Sequence, residues 1–278
     1  MNRRQFLKRA FGSALGIGAF TSLYTWQVEP FWLEFTRRKM TFDALPVFWK
    51  GKTLMQISDI HVGKLVDDTY LKESFLKAST HNPDIVVYTG DFVSYVNAEQ
   101  FGQLEELMKN AVLGKYGTYA VLGNHDYGHK WSEPKVADRI VRILEKRGVK
   151  VLRNQKVINQ GLTILGVDDF WGTNFHPSSV LKTVQKKDVT LALCHNPDVC
   201  DMNVWHDFSG WIVSGHTHGG QCKPPFLPPP VLPVTNTDYT SGEFHLDKNR
   251  KLYINRGLGY VLQARFNVRP EITLFELA

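Results

Sequence analysis

Thr53-Leu54-Met55-Gln56-Ile57-Ser58-Asp59-Ile60-His61 decides how the chain is read: a short β-prone apolar run stops abruptly in an aspartate and a histidine. The pattern returns four times. Residues 85–89 stop in Gly90-Asp91, and residues 118–122 in Gly123-Asn124-His125-Asp126. Residues 189–194 run into His195, and residues 211–214 into Gly215-His216-Thr217-His218. Runs without polar alternation belong to sheets buried on both faces. Between the first three runs, residues 69–79 and 98–111 show helical spacing. A third helix is expected behind Ser132 as N-cap, with Val136, Ile140, Val141 and Leu144 on its apolar face. Strand–helix alternation makes the strands parallel, and ligands then collect beyond their carboxyl ends. All five polar clusters fall at such ends, in an α/β fold.

The donors at those ends are Asp59, His61, Asp91, Asn124, His195, His216 and His218. They offer imidazole nitrogens and oxygens and no thiolate, which suits Mn, Fe, Zn or Ni and is too rich in nitrogen for Ca or Mg. Seven donors exceed what one tetrahedral ion needs and match two ions with open positions. A pair about 3.5–4 Å apart needs a shared anionic bridge, which one carboxylate supplies.

A chain of 278 residues, 43% hydrophobic and 22% charged, carries enough apolar surface for a core, so a disordered or fibrous chain is excluded. Its three cysteines include no C-x-x-C pair, which removes zinc knuckles and thioredoxin-like sites and leaves Cys194, Cys200 and Cys222 as small hydrophobes. Of the net charge of +6, residues 1–40 hold +5, as seven cations against Glu29 and Glu34. The body is close to neutral and lacks the spread cationic face of a nucleic-acid binder, so no nucleic-acid partner is expected.

Arg3-Arg4, Phe6-Leu7-Lys8 and a Gly-rich apolar stretch have the layout of a twin-arginine export signal. The apolar stretch is shorter than the roughly 20 residues that span a bilayer comfortably. Residues 1–27 are therefore read as a signal or anchor, with the export machinery and the membrane surface as partners. The expected location is the outer face of the cytoplasmic membrane. Residues 28–50 are read as a membrane-proximal linker, whose aromatics and cations either meet headgroups or form a strand packed on the domain. The globular domain is expected over residues 51–278.

Asp59-Ile60-His61, Gly90-Asp91, Gly123-Asn124-His125-Asp126, His195 and Gly215-His216-Thr217-His218 together resemble the signature of the calcineurin-like metallophosphoesterase superfamily. The leader, Gly219-Gly220-Gln221 and the 255–272 tail resemble a bacterial group of exported or membrane-associated phosphodiesterases. That group is similar to the UDP-2,3-diacylglucosamine pyrophosphatases of lipid A synthesis. The resemblance implies a sandwich of two mixed β-sheets flanked by helices, the second sheet drawn from Leu162–Val167 and residues 242–246, 251–254 and 271–276. It implies that Asp59, His61 and His218 hold one divalent ion and Asn124, His195 and His216 another, with Asp91 bridging and Mn preferred. His125, oriented by Asp126, would face the phosphate while a metal-bridging hydroxide attacks a phosphodiester or pyrophosphate. A metal-poor scaffold of the same fold is the contrasting reading, which the intact donor set argues against.

Other residues carry readings of their own. Residues 221–233 are Pro-dense and form either a stiff connection or a lip selecting an apolar group. Arg256 is a candidate phosphate clamp or an ordinary ion pair. Asp168 and Asp169 are candidate orienters of a ligand histidine. His129, His176, His206 and His245 are expected on the surface or in loops, and Trp171 and Trp211 in the core.

Overall fold

The apolar runs become parallel strands because both of their faces find a partner layer. The computed structural model describes residues 2–278. It begins with helix α1 (Arg3–Gln27), none of whose residues is buried. The first sheet contains β1 (Glu34–Met40), β2 (Thr53–Ile57), β3 (Ile85–Thr89), β4 (Thr118–Val121), β5 (Lys150–Val151) and β12 (Glu271–Leu277), in the order β1-β12-β2-β3-β4-β5. The second contains β6 (Gln155–Asn159), β7 (Leu162–Val167), β8 (Thr190–Cys194), β9 (Gly210–Ser214), β10 (Gly242–His245) and β11 (Arg250–Ile254), in the order β10-β11-β9-β8-β7-β6. Both sheets are mixed, with β2 to β5 mutually parallel in one and β7, β8, β9 and β11 in the other.

Alternate side chains of each strand serve different cores. Leu54, Ile85, Val87 and Val121 meet Ile164, Leu191 and Val213 between the sheets. Met55, Val86 and Tyr88 point outward, onto α2 (Asp68–Ser79), α3 (Glu99–Leu107) and α4 (Pro134–Glu145). Ala192, Ile212 and Leu252 cover the far side of the second sheet with α5 (Pro177–Leu181) and Trp205. Four layers result, as the resemblance implies.

Three expectations are corrected. The fold begins upstream of Gly51: Glu29 is buried and accepts from the Val268 amide, and β1 pairs in parallel with β12. β1 is an edge strand, so Arg37, Arg38 and Lys39 remain exposed, and charge on an edge blocks further pairing. Residues 271–276 lie not in the second sheet but in the first, antiparallel to β2. α4 opens on Pro134, whose missing N–H costs nothing at that position, and Ser132 does not cap it but donates to the His129 carbonyl. Among the described residues no helix is long and apolar enough to cross a membrane.

The carboxyl ends of β2, β3 and β4 therefore open on the same end of the sandwich as those of β8 and β9. That is where the donor residues sit.

Candidate dinuclear metal centre

At the strand ends the backbone leaves the extended conformation at the donors themselves. Asp59, His61, Asp91, His216 and His218 have φ of 50°, 53°, 54°, 71° and 50°. Asp and His enter this left-handed region more readily than β-branched residues do. Glycine permits the crowding that follows. A Cβ on Gly215 would overlap the Ser58 hydroxyl and the Asp59 carboxylate, and one on Gly123 would overlap Asp91.

The donors form a continuous string across the two sheets. Asp59 Oδ1 is 3.4 Å from His218 Nε2, which is 3.0 Å from His61 Nε2. Asp91 Oδ2 lies between the halves, 3.5 Å from His61 Nε2 and 3.2 Å from His195 Nε2. His195 Nε2 is in turn 3.2 Å from His216 Nδ1. Donor atoms around an ion at roughly 2.0–2.2 Å stand about 3.0–3.5 Å apart, so the spacing fits metal coordination. Asp59, His61 and His218 form one group with donor atoms within 4.8 Å of one another, and Asp91, His195 and His216 form another. Asn124 Oδ1 is buried without a hydrogen-bond partner among the described residues, although buried acceptors are normally satisfied. A cation would satisfy it.

Neighbouring groups fix which ring nitrogen faces the centre. His195 Nδ1 donates to the Thr89 carbonyl at 2.7 Å, and His216 Nε2 donates to the Pro233 carbonyl at 2.8 Å. Their other nitrogens, His195 Nε2 and His216 Nδ1, face inward toward the centre. His61 Nδ1 lies 2.9 Å from Ser94 Oγ. Such outer partners hold the ring and raise its basicity toward a metal. Burial lowers His61 and His216 to about 3, and lowers His218 well below its ordinary value, so these three are neutral ligands at physiological pH.

Asp91 and His195 behave oppositely. Burial works against the Asp91 charge, but the imidazoles of His195, His125 and His61 outweigh it and hold the carboxylate well below its usual range. Burial likewise opposes charge on His195, and the Asp91 carboxylate overcomes it and raises the ring well above its ordinary value. Burial lifts Asp59 to about 7. The metal-free centre thus holds protons that a cation must displace, chiefly on His195 and Asp59. Metal uptake by chelator-treated protein is expected to release protons, with affinity rising from about pH 6 to about pH 8. Indicator-dye titration in weak buffer reads this directly. Uptake without proton release would contradict the pairing of Asp91 with His195.

His125 stands apart from the string. It is half-buried while the other donors are buried, and its backbone N–H donates to Asp91 Oδ1 at 2.9 Å. Its ring meets that of His61 edge-on, with centroids 5.0 Å apart. Asp126 does not reach the His125 ring as expected. Its oxygens accept from the amides of Phe92, Val93 and Gly123, tying the β3 and β4 turns together. Above His125, Asn124 and Asp91 opens a cleft of about 600 Å³. Its walls include Trp131, Trp171, Val231, Pro233, Val261 and Leu262.

A model of the calcineurin-like phosphoesterase family matches residues 52–220, which span every donor cluster. The chain belongs to the calcineurin-like phosphoesterase family. Similar proteins include the metallophosphoesterase YkuE of Bacillus subtilis, 30% identical across all of this chain and 98% of its own length. The phosphodiesterase YaeI of Escherichia coli is 27% identical across all of this chain and 99% of its own. The UDP-2,3-diacylglucosamine pyrophosphatase LpxG of Chlamydia muridarum is 28% identical over 95% of this chain and 96% of its own. Family membership and the donor geometry make the chain a metal-dependent phosphoric ester hydrolase with a site for two divalent ions.

Asp168, Asp169 and Trp171 play other parts than the sequence reading gave them, and Arg256 takes the second of its two readings. Arg256 is not a free phosphate clamp: Nε donates to Glu271 at 2.6 Å and a terminal nitrogen to Glu34 at 2.9 Å. Asp168 accepts from Arg153 and Asn174 and touches no ligand histidine. Asp169 Oδ1 accepts from the amides of Trp171 and Gly172, and its charge, without a hydrogen bond to the ring, helps raise His195. Trp171 is not in the core but at the cleft, edge-on to His216 at 4.6 Å and stacked on Trp131 at 4.7 Å. Trp211 is buried, and His129, His176, His206 and His245 are exposed.

Several contributors escaped the sequence reading because no motif marks them. The Thr89 and Pro233 carbonyls are backbone atoms, available at any residue. Arg265 is wholly buried, and it donates to the carbonyls of Arg256, Gly257, Gly259 and Val268. It thereby fixes the loop whose Leu258 and Gly259 amides bond the Ser58 and Asp59 carbonyls.

Proposed function

We propose that the protein hydrolyses a phosphodiester or pyrophosphate bond of an envelope-associated substrate, using two divalent ions with Mn preferred. Asp59, His61 and His218 would hold one ion and Asn124, His195 and His216 the other, with Asp91 between them. Bound there, the ions would neutralise charge on the phosphoryl oxygens and let water act as a nucleophile at neutral pH. The observation that carries this reading is Asp91 Oδ2, set within 3.5 Å of a donor nitrogen from each group. His125 lines the open face, where its ring gives a proton to the departing oxygen. Trp131, Trp171 and Leu262 give the same cleft an apolar wall against which a non-polar part of the substrate would pack. Arg3 and Arg4 support export to the outer face of the cytoplasmic membrane.

Cleavage of a nucleotide–lipid pyrophosphate is a second reading. The likeness to LpxG over 95% of the chain favours it, as does the apolar cleft.

The test strips metals with a chelator and restores Mn, Fe, Zn or Ni singly while following bis(p-nitrophenyl) phosphate and p-nitrophenyl phosphate. Diester hydrolysis is expected to return at about two equivalents of metal, fastest with Mn, and to exceed monoester hydrolysis. Activity indifferent to metal would refute the proposal. Fractionation of the tagged chain with and without Arg3→Lys and Arg4→Lys separates the two substrate readings. An exported chain favours an external diester, and a cytosol-facing one favours the nucleotide–lipid.

A further inference from the structure

The outer wall of the cleft is built to be apolar and then left uncovered. Val231 is 73% exposed and Leu262 65%, although both line the cleft. In the same 221–233 segment as Val231, Phe226 is fully exposed at a left-handed φ of 66°, a conformation unfavourable for a bulky aromatic, and Leu227 is exposed as well. Nothing within the fold repays that arrangement.

This wall is held rigidly to the metal site. Gln221, three residues beyond His218, uses its whole side-chain amide on the strip at residues 261–264. Its Nε2 donates to the Leu262 and Ala264 carbonyls at 2.8 and 3.0 Å, and its Oε1 accepts from the Val261 amide at 2.9 Å. The strip and the residue after it receive the end of α1: the Arg265 amide donates to the Thr25 carbonyl and Gln263 Nε2 to the Trp26 carbonyl.

α1 itself points to what lies over the wall. Phe11, Leu15, Ile17, Phe20 and Leu23 are all exposed, and helical spacing distributes them around the circumference rather than along one stripe. A single protein groove covers one stripe, whereas a lipid layer in which the helix lies without crossing covers more than one. Arg3, Arg4, Lys8 and Arg9 sit at the far end, where anionic headgroups would attract them. Trp26 and Trp32 are half exposed near the junction, with Arg269 3.6 Å above the Trp32 ring, the pairing of ring and cation that suits a headgroup layer.

We infer that the Phe226–Leu227 tip, Val231 and the Val261–Leu262 strip form a lip that seats in the surface of a lipid bilayer. The cleft then opens into the bilayer, and an amphiphile whose phosphoester adjoins its acyl chains slides from the lipid onto the metal site. Gln221 is the positioning residue that sets the lip against the histidines. The substrate class rests on the phosphoesterase reading, and the seating of the lip does not.

The test uses the full chain with vesicles of equal parts phosphatidylglycerol and phosphatidylethanolamine. In a Cys222→Ser background, a fluorophore on Leu262→Cys is expected to be quenched by doxyl-labelled lipid. One on Lys187→Cys, exposed at the other end of the strands, is not. Equal quenching at the two sites, or none at residue 262, overturns the lip. In the second arm, Phe226→Asp combined with Leu227→Asp is expected to lower the ratio of rates on vesicle-borne dioleoylglycerol p-nitrophenyl phosphate and soluble bis(p-nitrophenyl) phosphate by about tenfold. An unchanged ratio overturns loading from the bilayer. If the unaltered protein cleaves neither ester, the phosphoesterase reading fails, while the quenching still decides the lip.

Discussion

Replacing Asp91 by alanine is expected to empty both metal positions and to lower kcat/KM on a diester by at least about 10³-fold, because the carboxylate proposed to bridge the two ions goes with it. Oδ2 lies between the two groups, 3.5 Å from His61 Nε2 and 3.2 Å from His195 Nε2. Oδ1 also anchors the His125 amide. Without the carboxylate, His195 loses the charge that raises its affinity for a proton, and two buried groups of neutral imidazoles are left with no anion between them. Elemental analysis of the purified variant checks this. Retention of two ions by Asp91→Ala would show that each group holds its ion unaided.

His125→Ala is expected to leave metal content at the level of the unaltered protein and to lower kcat on a diester by about 10²–10⁴-fold, the range of a general acid. The only hydrogen bond that ties His125 to Asp91 runs from its backbone N–H, and alanine keeps it. The ring is half-buried and lines the cleft, so what is lost is its contact with substrate. The loss should be larger with an alkyl leaving group than with p-nitrophenol, because the alkoxide needs the proton more. A variant that sheds metal would instead make His125 a ligand beside His61 and Asp91, with which its donor atoms also cluster. Unchanged kcat would remove its role in proton transfer.

The site was legible in the sequence for a physical reason. Parallel strands buried on both faces must stop being apolar where they reach solvent, and Asp59, Asp91, Asn124, His195 and His216 sit at those stops. Chain topology brings the stops together, so order along the sequence became proximity in space. Sheet membership was less legible. Residues 271–276 read as a buried strand but carry no mark of which sheet they join. Their partner β1 was disguised by Arg37, Arg38 and Lys39, which are tolerable because β1 is an edge. Arg256 could be read as a phosphate clamp as well as an ion pair because the carboxylates that neutralise it, Glu34 and Glu271, are distant in sequence. Trp171 read as core because an aromatic ring gives the same signal on a buried strand as on a cleft wall. Its loop is held by Asp169, which the sequence offered as a candidate orienter of a ligand histidine.

Crystals grown with Mn and measured at its absorption edge would examine the shared carboxylate most directly. Two anomalous peaks about 3.5–4 Å apart, each within bonding distance of Asp91 Oδ2, are the predicted result. A single peak, or two peaks neither of which touches Asp91, would contradict the dinuclear centre.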